Sequence, residues 1–121
     1  MDIQRLGSSI KEALRGLGTV YRSEQNFRLQ IYVSILVFIA AGLLRLRGYE
    51  VVVIILLIGL VLIMELLNTA FEYCADLLKP RLNHYVQLIK ETMAAAVLVT
   101  TLVAAAIGLI IFVPHFLALL K

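Results

Sequence analysis

Apolar positions recur with two textures along this chain. Over residues 1–28 they fall at Leu6, Ile10, Leu14, Leu17 and Tyr21, with Lys11, Glu12, Arg15 and Arg22 among the polar positions between them. Spacing of three to four residues predicts a helix with one apolar stripe. Its basic residues, and the long apolar run that follows, predict an amphipathic helix lying on a membrane surface over about residues 3–22. Gly7, Gly16 and Gly18 weaken it, since a glycine inside a helix costs about 1 kcal/mol against alanine. The alternative for the same stripe is a water-facing helix packed on a bundle.

Beyond Arg28 the polar positions become rare. Leu29 to Leu44, Val51 to Phe71 and Thr92 to Leu120 are apolar stretches, each approaching the roughly 20 residues that cross a bilayer. They predict spans at about 29–46, 51–72 and 91–113. Pro114 is expected to bend or end the third, because proline has no N–H for the helix ladder. Gly48 is expected to make the turn of the tight 45–50 connection, with Tyr49 at interfacial depth. Lys79-Pro80-Arg81 is expected to end the second helix. The predicted fold is all-α and integral to a membrane: one domain over 1–121, an N-terminal amphipathic surface helix plus three transmembrane helices.

Composition supports this picture. The chain of 121 residues is 62% hydrophobic, against about half in an average soluble domain. So short a chain has few walls with which to enclose a large site, so a homo-oligomer is expected. The single Cys74 excludes an intrachain disulfide and suits a small packing residue. The first apolar run ends in Arg45-Leu46-Arg47, not in a small-residue cleavage site, so it is expected to be retained. The net charge of +3 comes without basic residues interleaved with aromatics for bases to stack on. No nucleic acid is expected as a partner. Arg5, Lys11, Arg15, Arg22 and Arg28 precede the first span and Lys79, Arg81 and Lys90 follow the second, which together are eight of the eleven Lys and Arg. The positive-inside rule then puts the N-terminus and the 73–91 loop in the cytoplasm.

Glu65 breaks the second apolar run, where an ionised carboxylate costs several kcal/mol unless it is paired, interfacial or bound to a cation. On a helix, Asn68, Glu72 and Asp76 lie at roughly 300, 340 and 20 degrees from it, so the four share one stripe. Glu24, before the first span, and Lys90-Glu91, before the third, lie at the same cytoplasmic level. One reading is that such charges pair with Arg22, Arg28, Lys79 or Lys90 and hold the helices in register, which suits Asp76 and Glu12. The other is chemical: Glu65 and Glu72 offer hard oxygens for Mg²⁺ and a free acid for use as a base, beside a lysine suited to phosphate. Asn68 by itself could simply bond across to another helix. His84, with no second histidine at ligand spacing, reads as an exposed loop residue. No phosphate-binding Gly-x-x-x-x-Gly-Lys loop is present.

The run Glu65-Leu66-Leu67-Asn68-Thr69-Ala70-Phe71-Glu72, continuing to Asp76 and Lys90, resembles the small bacterial membrane lipid kinases, the diacylglycerol kinase and undecaprenol kinase family. Ser23-Glu24-Gln25-Asn26-Phe27-Arg28, Ala13-Leu14-Arg15-Gly16-Leu17 and the three-span layout extend the likeness over nearly the whole chain. The resemblance implies a homotrimer in the bacterial inner membrane, with sites between subunits that move the γ-phosphate of Mg-ATP to a lipid alcohol, either undecaprenol or diacylglycerol. By position it implies Glu65 as general base supported by Asn68, and Glu24 with Glu72 as holders of Mg²⁺. Arg5, Glu24, Glu72, Asp76, Arg81, Asn83, Lys90 and Glu91 would meet ATP, and Glu65 with Ala95 the lipid. The chain departs from the family's pattern at Glu91, where Asp is usual, at Gln30, where some relatives carry an acid, and at Asn83-His84-Tyr85, where a His-Pro turn is common. A competing class of function is a small proton-coupled transporter using Glu65 as its relay. The grouping of charges at one interface counts against it, because transporter sites lie near the midplane.

Overall fold

The computed structural model describes residues 2–121, and these form four helices: α1 (Ile3–Ser23), α2 (Gln25–Leu43), α3 (Gly48–Asp76) and α4 (Asn83–Leu119). Asp2 starts α1 by accepting the Gln4 N–H at 3.1 Å, which satisfies one of the donors that every helix start leaves free. One extended residue, Glu24, separates α1 from α2. The Arg28 guanidinium spans this break, donating to the carbonyls of Tyr21 and Arg22 at 2.8 Å each. It thereby supplies donors and a positive charge where the end of α1 needs both. Val20 and Phe27 are buried on either side. The Tyr21 and Tyr32 hydroxyls meet at 2.6 Å with their rings edge to face, so α1 is tied to α2 by a second polar contact.

Three turns differ from the sequence expectations. Between α2 and α3 the left-handed residue is Arg45, at φ 54°, and Gly48 is instead the first residue of α3. The Arg45 N–H reaches Gly42 O and the Leu46 N–H reaches Ala41 O, at 3.3 and 3.2 Å. Those two bonds close the end of α2 in a Schellman arrangement and offset the roughly 1–2 kcal/mol that the left-handed conformation costs a non-glycine residue. The second correction is that α3 stops at Asp76, before Lys79-Pro80-Arg81, so Pro80 sits within the connection. The third concerns Pro114, expected to bend or end its helix: α4 runs through it to Leu119, so it does not end the helix.

At about 1.5 Å per residue, α2 is about 28 Å long, α3 about 43 Å and α4 about 55 Å, against a hydrocarbon core of about 30 Å. All three are long and apolar enough to cross a membrane. α3 packs chiefly on α4 and less on α2, and α1 rests on α2. Fully buried apolar residues are few: Ile54, Ala75 and Val86 are examples, whereas Leu36, Leu56, Leu102 and Ile110 are more than half exposed. Apolar surface on this scale is unfavourable in water and ordinary in a bilayer, where helices satisfy every backbone group internally.

Candidate active site

Glu65 is the most deeply placed acid of the site. It is 2% exposed, on the face of α3 turned toward the other helices, with Thr69 at 1% one turn further. Along α3 it lies about 22 Å from Glu50, and Glu72 lies about 33 Å from Glu50, at about 1.5 Å per residue. The stripe read from the sequence therefore leads from the middle of α3 toward its C-terminal end.

Polar contacts join members of the stripe to their neighbours. Gln30 Nε2 of α2 donates to Glu65 Oε2 at 3.4 Å, and the Thr69 hydroxyl donates to the Glu65 carbonyl at 3.0 Å. Asn68 Nδ2 donates to Glu72 Oε1 at 3.4 Å. Two further acids border this group: Glu24, half-buried at the α1–α2 break, and Glu72, also half-buried, two turns past Glu65 on α3. Two buried oxygens in this group, Gln30 Oε1 and Asn68 Oδ1, have no hydrogen-bond partner. A buried unpaired acceptor costs roughly 1–3 kcal/mol, so both oxygens call for an occupant that the chain alone does not provide.

Further toward the C-terminal end of α3, Lys90 Nζ of α4 meets Asp76 Oδ1 at 3.0 Å, and Lys79 approaches the same oxygen at 3.6 Å. This is the helix-register pairing that the sequence offered as one reading of Asp76. Glu72 also acts on Lys90, so the lysine borders the carboxylate group as well. Arg81 and Asn83 are exposed around the start of α4, Glu91 is exposed and accepts from Gln87 at 2.8 Å, and Ala95 is exposed one turn on. Arg5 is not brought to the group: it stands on an exposed turn of α1, about 28 Å along the helix axis from Glu24 at about 1.5 Å per residue. Cys74 is exposed rather than packed, and His84 is exposed as expected but within the first turn of α4, edge-on to Tyr85.

Between α2, α3 and α4 opens an apolar cavity of about 720 Å³. Val37, Ile58 and Phe112 are among its walls, and Asn26, Gln30 and Ser34, spaced one turn apart on α2, form a polar edge. Gln30 thus stands between the cavity and Glu65. Sequence reading had treated Gln30 only as a departure from a family pattern. The available signal was the amide of Gln30 recurring one turn after Asn26 at the start of an apolar run.

Among the described residues no group of three or more His, Cys, Asp or Glu is gathered as a ready-made metal site. That does not conflict with Mg²⁺, which is usually held by one or two carboxylates together with water and substrate phosphates. Glu24 and Glu72 are hard oxygen donors, and the unpartnered Asn68 Oδ1 beside Glu72 is a third oxygen awaiting a donor or cation.

Residues 11–112 match the family described as prokaryotic diacylglycerol kinase. The chain is 34% identical over 113 residues to a protein named undecaprenol kinase from Bacillus subtilis, an alignment covering 93% of this chain and 92% of that one. It is also 34% identical over 113 residues to a protein named diacylglycerol kinase from a Synechocystis species, covering 93% of this chain and 65% of that one.

Proposed function

Because the chain belongs to the prokaryotic diacylglycerol kinase family, we propose that it is a membrane lipid kinase which transfers the γ-phosphate of ATP to the hydroxyl of a lipid alcohol, with Glu65 as general base. The observation that supports this reading is the burial of Glu65 on α3 in contact with Gln30, which lines the apolar cavity between α2, α3 and α4. A hydroxyl on a lipid cannot travel far into water, so its base has to be brought to the interface.

In this scheme the acceptor's chain lies along the apolar cavity and near Ala95, and its hydroxyl points to Glu65. The hydroxyl oxygen attacks the γ-phosphorus as its proton passes to Glu65, and the bond from that phosphorus to the β–γ bridging oxygen breaks, releasing ADP. Asn68, bonded to Glu72 and one turn from Glu65 on the same face of α3, keeps the two in register. Glu24 and Glu72 would hold Mg²⁺, which when bound offsets the charge of the phosphates. Lys90 exchanges Asp76 for phosphate oxygens, while Arg81, Asn83 and Glu91 border the nucleotide. Arg5 is too far along α1 to serve the same chain's Glu24, which fits a homotrimer in which a neighbour's α1 completes the site. α1 lies on the cytoplasmic surface of the bacterial inner membrane, together with the connection before α4. The transporter reading has no supporting observation.

The test is transfer of labelled γ-phosphate by the purified protein in mixed micelles containing Mg²⁺ and, in separate arms, diacylglycerol, undecaprenol or a shorter prenol. Transfer to at least one is expected. Failure with all three would overturn the kinase reading, and the preferred arm identifies the acceptor.

A further inference from the structure

Gln30 reaches Glu65 from a different helix, and only half of its amide is used. Nε2 donates to Glu65 Oε2 at 3.4 Å, whereas Oε1 is buried with no partner. Its backbone is well fixed: Ser34 Oγ donates to the Gln30 carbonyl at 2.6 Å, and Phe27, one turn before, is 3% exposed. The unused oxygen is therefore not the sign of a loosely held residue.

A general base alternates between two forms. As a carboxylate it only accepts hydrogen bonds; once it has taken a proton it carries an O–H that must find an acceptor. A primary amide is one of the few neutral groups that can serve both forms, since rotation about its terminal torsion exchanges N–H for C=O, and that torsion is soft. We propose that Gln30 is a positioning residue matched to both protonation states of Glu65, holding the carboxylate through Nε2–H before proton transfer and taking the acid's O–H on Oε1 afterwards. The oxygen orphaned in the resting state is the partner of the protonated state.

Neutrality matters here because of the surrounding charges. Two more acids belong to the group, Glu24 at the α1–α2 break and Glu72 on α3 itself. From α4, Lys90 is already engaged by Asp76 at 3.0 Å. An acid in place of Gln30 would add a third negative charge; the amide steadies the carboxylate without adding one.

This inference rests on Glu65 being the base of the proposed reaction, and the test separates the two. Steady-state kcat and both KM values are measured across pH for the full-length protein in mixed micelles, comparing wild type with Gln30→Leu, Gln30→Glu and Glu65→Gln. Gln30→Leu is expected to lower kcat about tenfold to a hundredfold at every pH, as loss of a hydrogen bond to a charged group implies, while neither KM moves more than about twofold. Gln30→Glu keeps polar reach and size, so it is expected to retain turnover but with the acid limb of its rate–pH profile displaced upward by about one unit, since two adjacent carboxylates share a proton. Should Gln30→Leu fail to assemble, the Gln30→Glu profile decides. Wild-type kcat in Gln30→Leu, or a Gln30→Glu profile superimposable on the wild type, would overturn the inference. Turnover surviving in Glu65→Gln would instead overturn the base assignment beneath it.

Discussion

Replacing Asn68 by leucine keeps the side chain's shape and removes both of its polar atoms, and the structure sets opposite expectations for stability and activity. One atom is used: Nδ2 donates to Glu72 Oε1, at a long 3.4 Å. The other, Oδ1, is buried and unpaired. A hydrogen bond to a charged acceptor contributes about 1.5–3 kcal/mol, toward the lower end when long, and an unpaired buried acceptor costs about 1–3 kcal/mol. The two nearly cancel, so Asn68→Leu is expected to unfold within about 1 kcal/mol of the wild type. If Asn68 merely fastened helices, the account would end there. In the proposed site it holds two carboxylates in register and offers Oδ1 toward the cation, so turnover is expected to fall about a hundredfold, the scale seen when a preorganised polar group is removed from a reacting site. Denaturant titration in detergent followed by helical circular dichroism gives the first quantity, and phosphate transfer on the same preparation gives the second. A variant destabilised by more than about 3 kcal/mol yet still turning over at wild-type rate would refute this reasoning, because it would make Asn68 a fastener and nothing more.

Glu72→Gln is expected to raise the Mg²⁺ concentration giving half-maximal rate by about tenfold or more, with the lipid KM unchanged, since a neutral amide oxygen is a poorer Mg²⁺ ligand than a carboxylate; an unaltered Mg²⁺ titration would remove Glu72 from the cation's shell. Ala75, 0% exposed where α3 meets α4, leaves no room for a larger group, so Ala75→Leu is expected to cost about 1–3 kcal/mol of stability and to lower turnover by displacing Lys90; a variant as stable as the wild type would contradict the close packing. His115 Nε2 lies 2.8 Å from Glu50 Oε1, joining the end of α4 beyond Pro114 to the start of α3. His115→Leu is expected to lower the temperature of thermal inactivation while leaving the initial rate at low temperature intact, because this contact stands at the opposite end of α3 from Glu65; a lowered initial rate would show that the two ends are coupled.

Features carried by periodicity were legible in the sequence. The helix at 3–23 and the stripe from Glu65 to Asp76 follow from spacing, because a 3.6-residue repeat fixes which side chains share a face, and the three long apolar helices follow from the length of their apolar runs. Features decided by contacts between distant residues were not. Glycine is the usual left-handed residue, yet Arg45 takes that conformation because the carbonyls of Ala41 and Gly42 must be satisfied where α2 ends. Pro114 signals a helix end, but its missing N–H removes only one ladder bond, and apolar residues on both sides continue the helix to Leu119. The break at Glu24 depends on Arg28 reaching back to two carbonyls, a pairing that no local pattern announces. Of the site, the acids were found from their cost in an apolar run. Gln30 was missed as a partner because an amide carries no such cost signal, and its significance emerges only when the third dimension sets it against Glu65.

The central claim is that Glu65 takes the proton of a lipid hydroxyl during phosphate transfer. Its most direct test compares wild type and Glu65→Gln for initial rate of γ-phosphate transfer to the preferred lipid alcohol, at saturating Mg-ATP and with matched helical content. The account predicts a loss of about a hundredfold or more, in line with removal of a general base, with nucleotide binding retained. A Glu65→Gln protein that phosphorylates the lipid at the wild-type rate would contradict it.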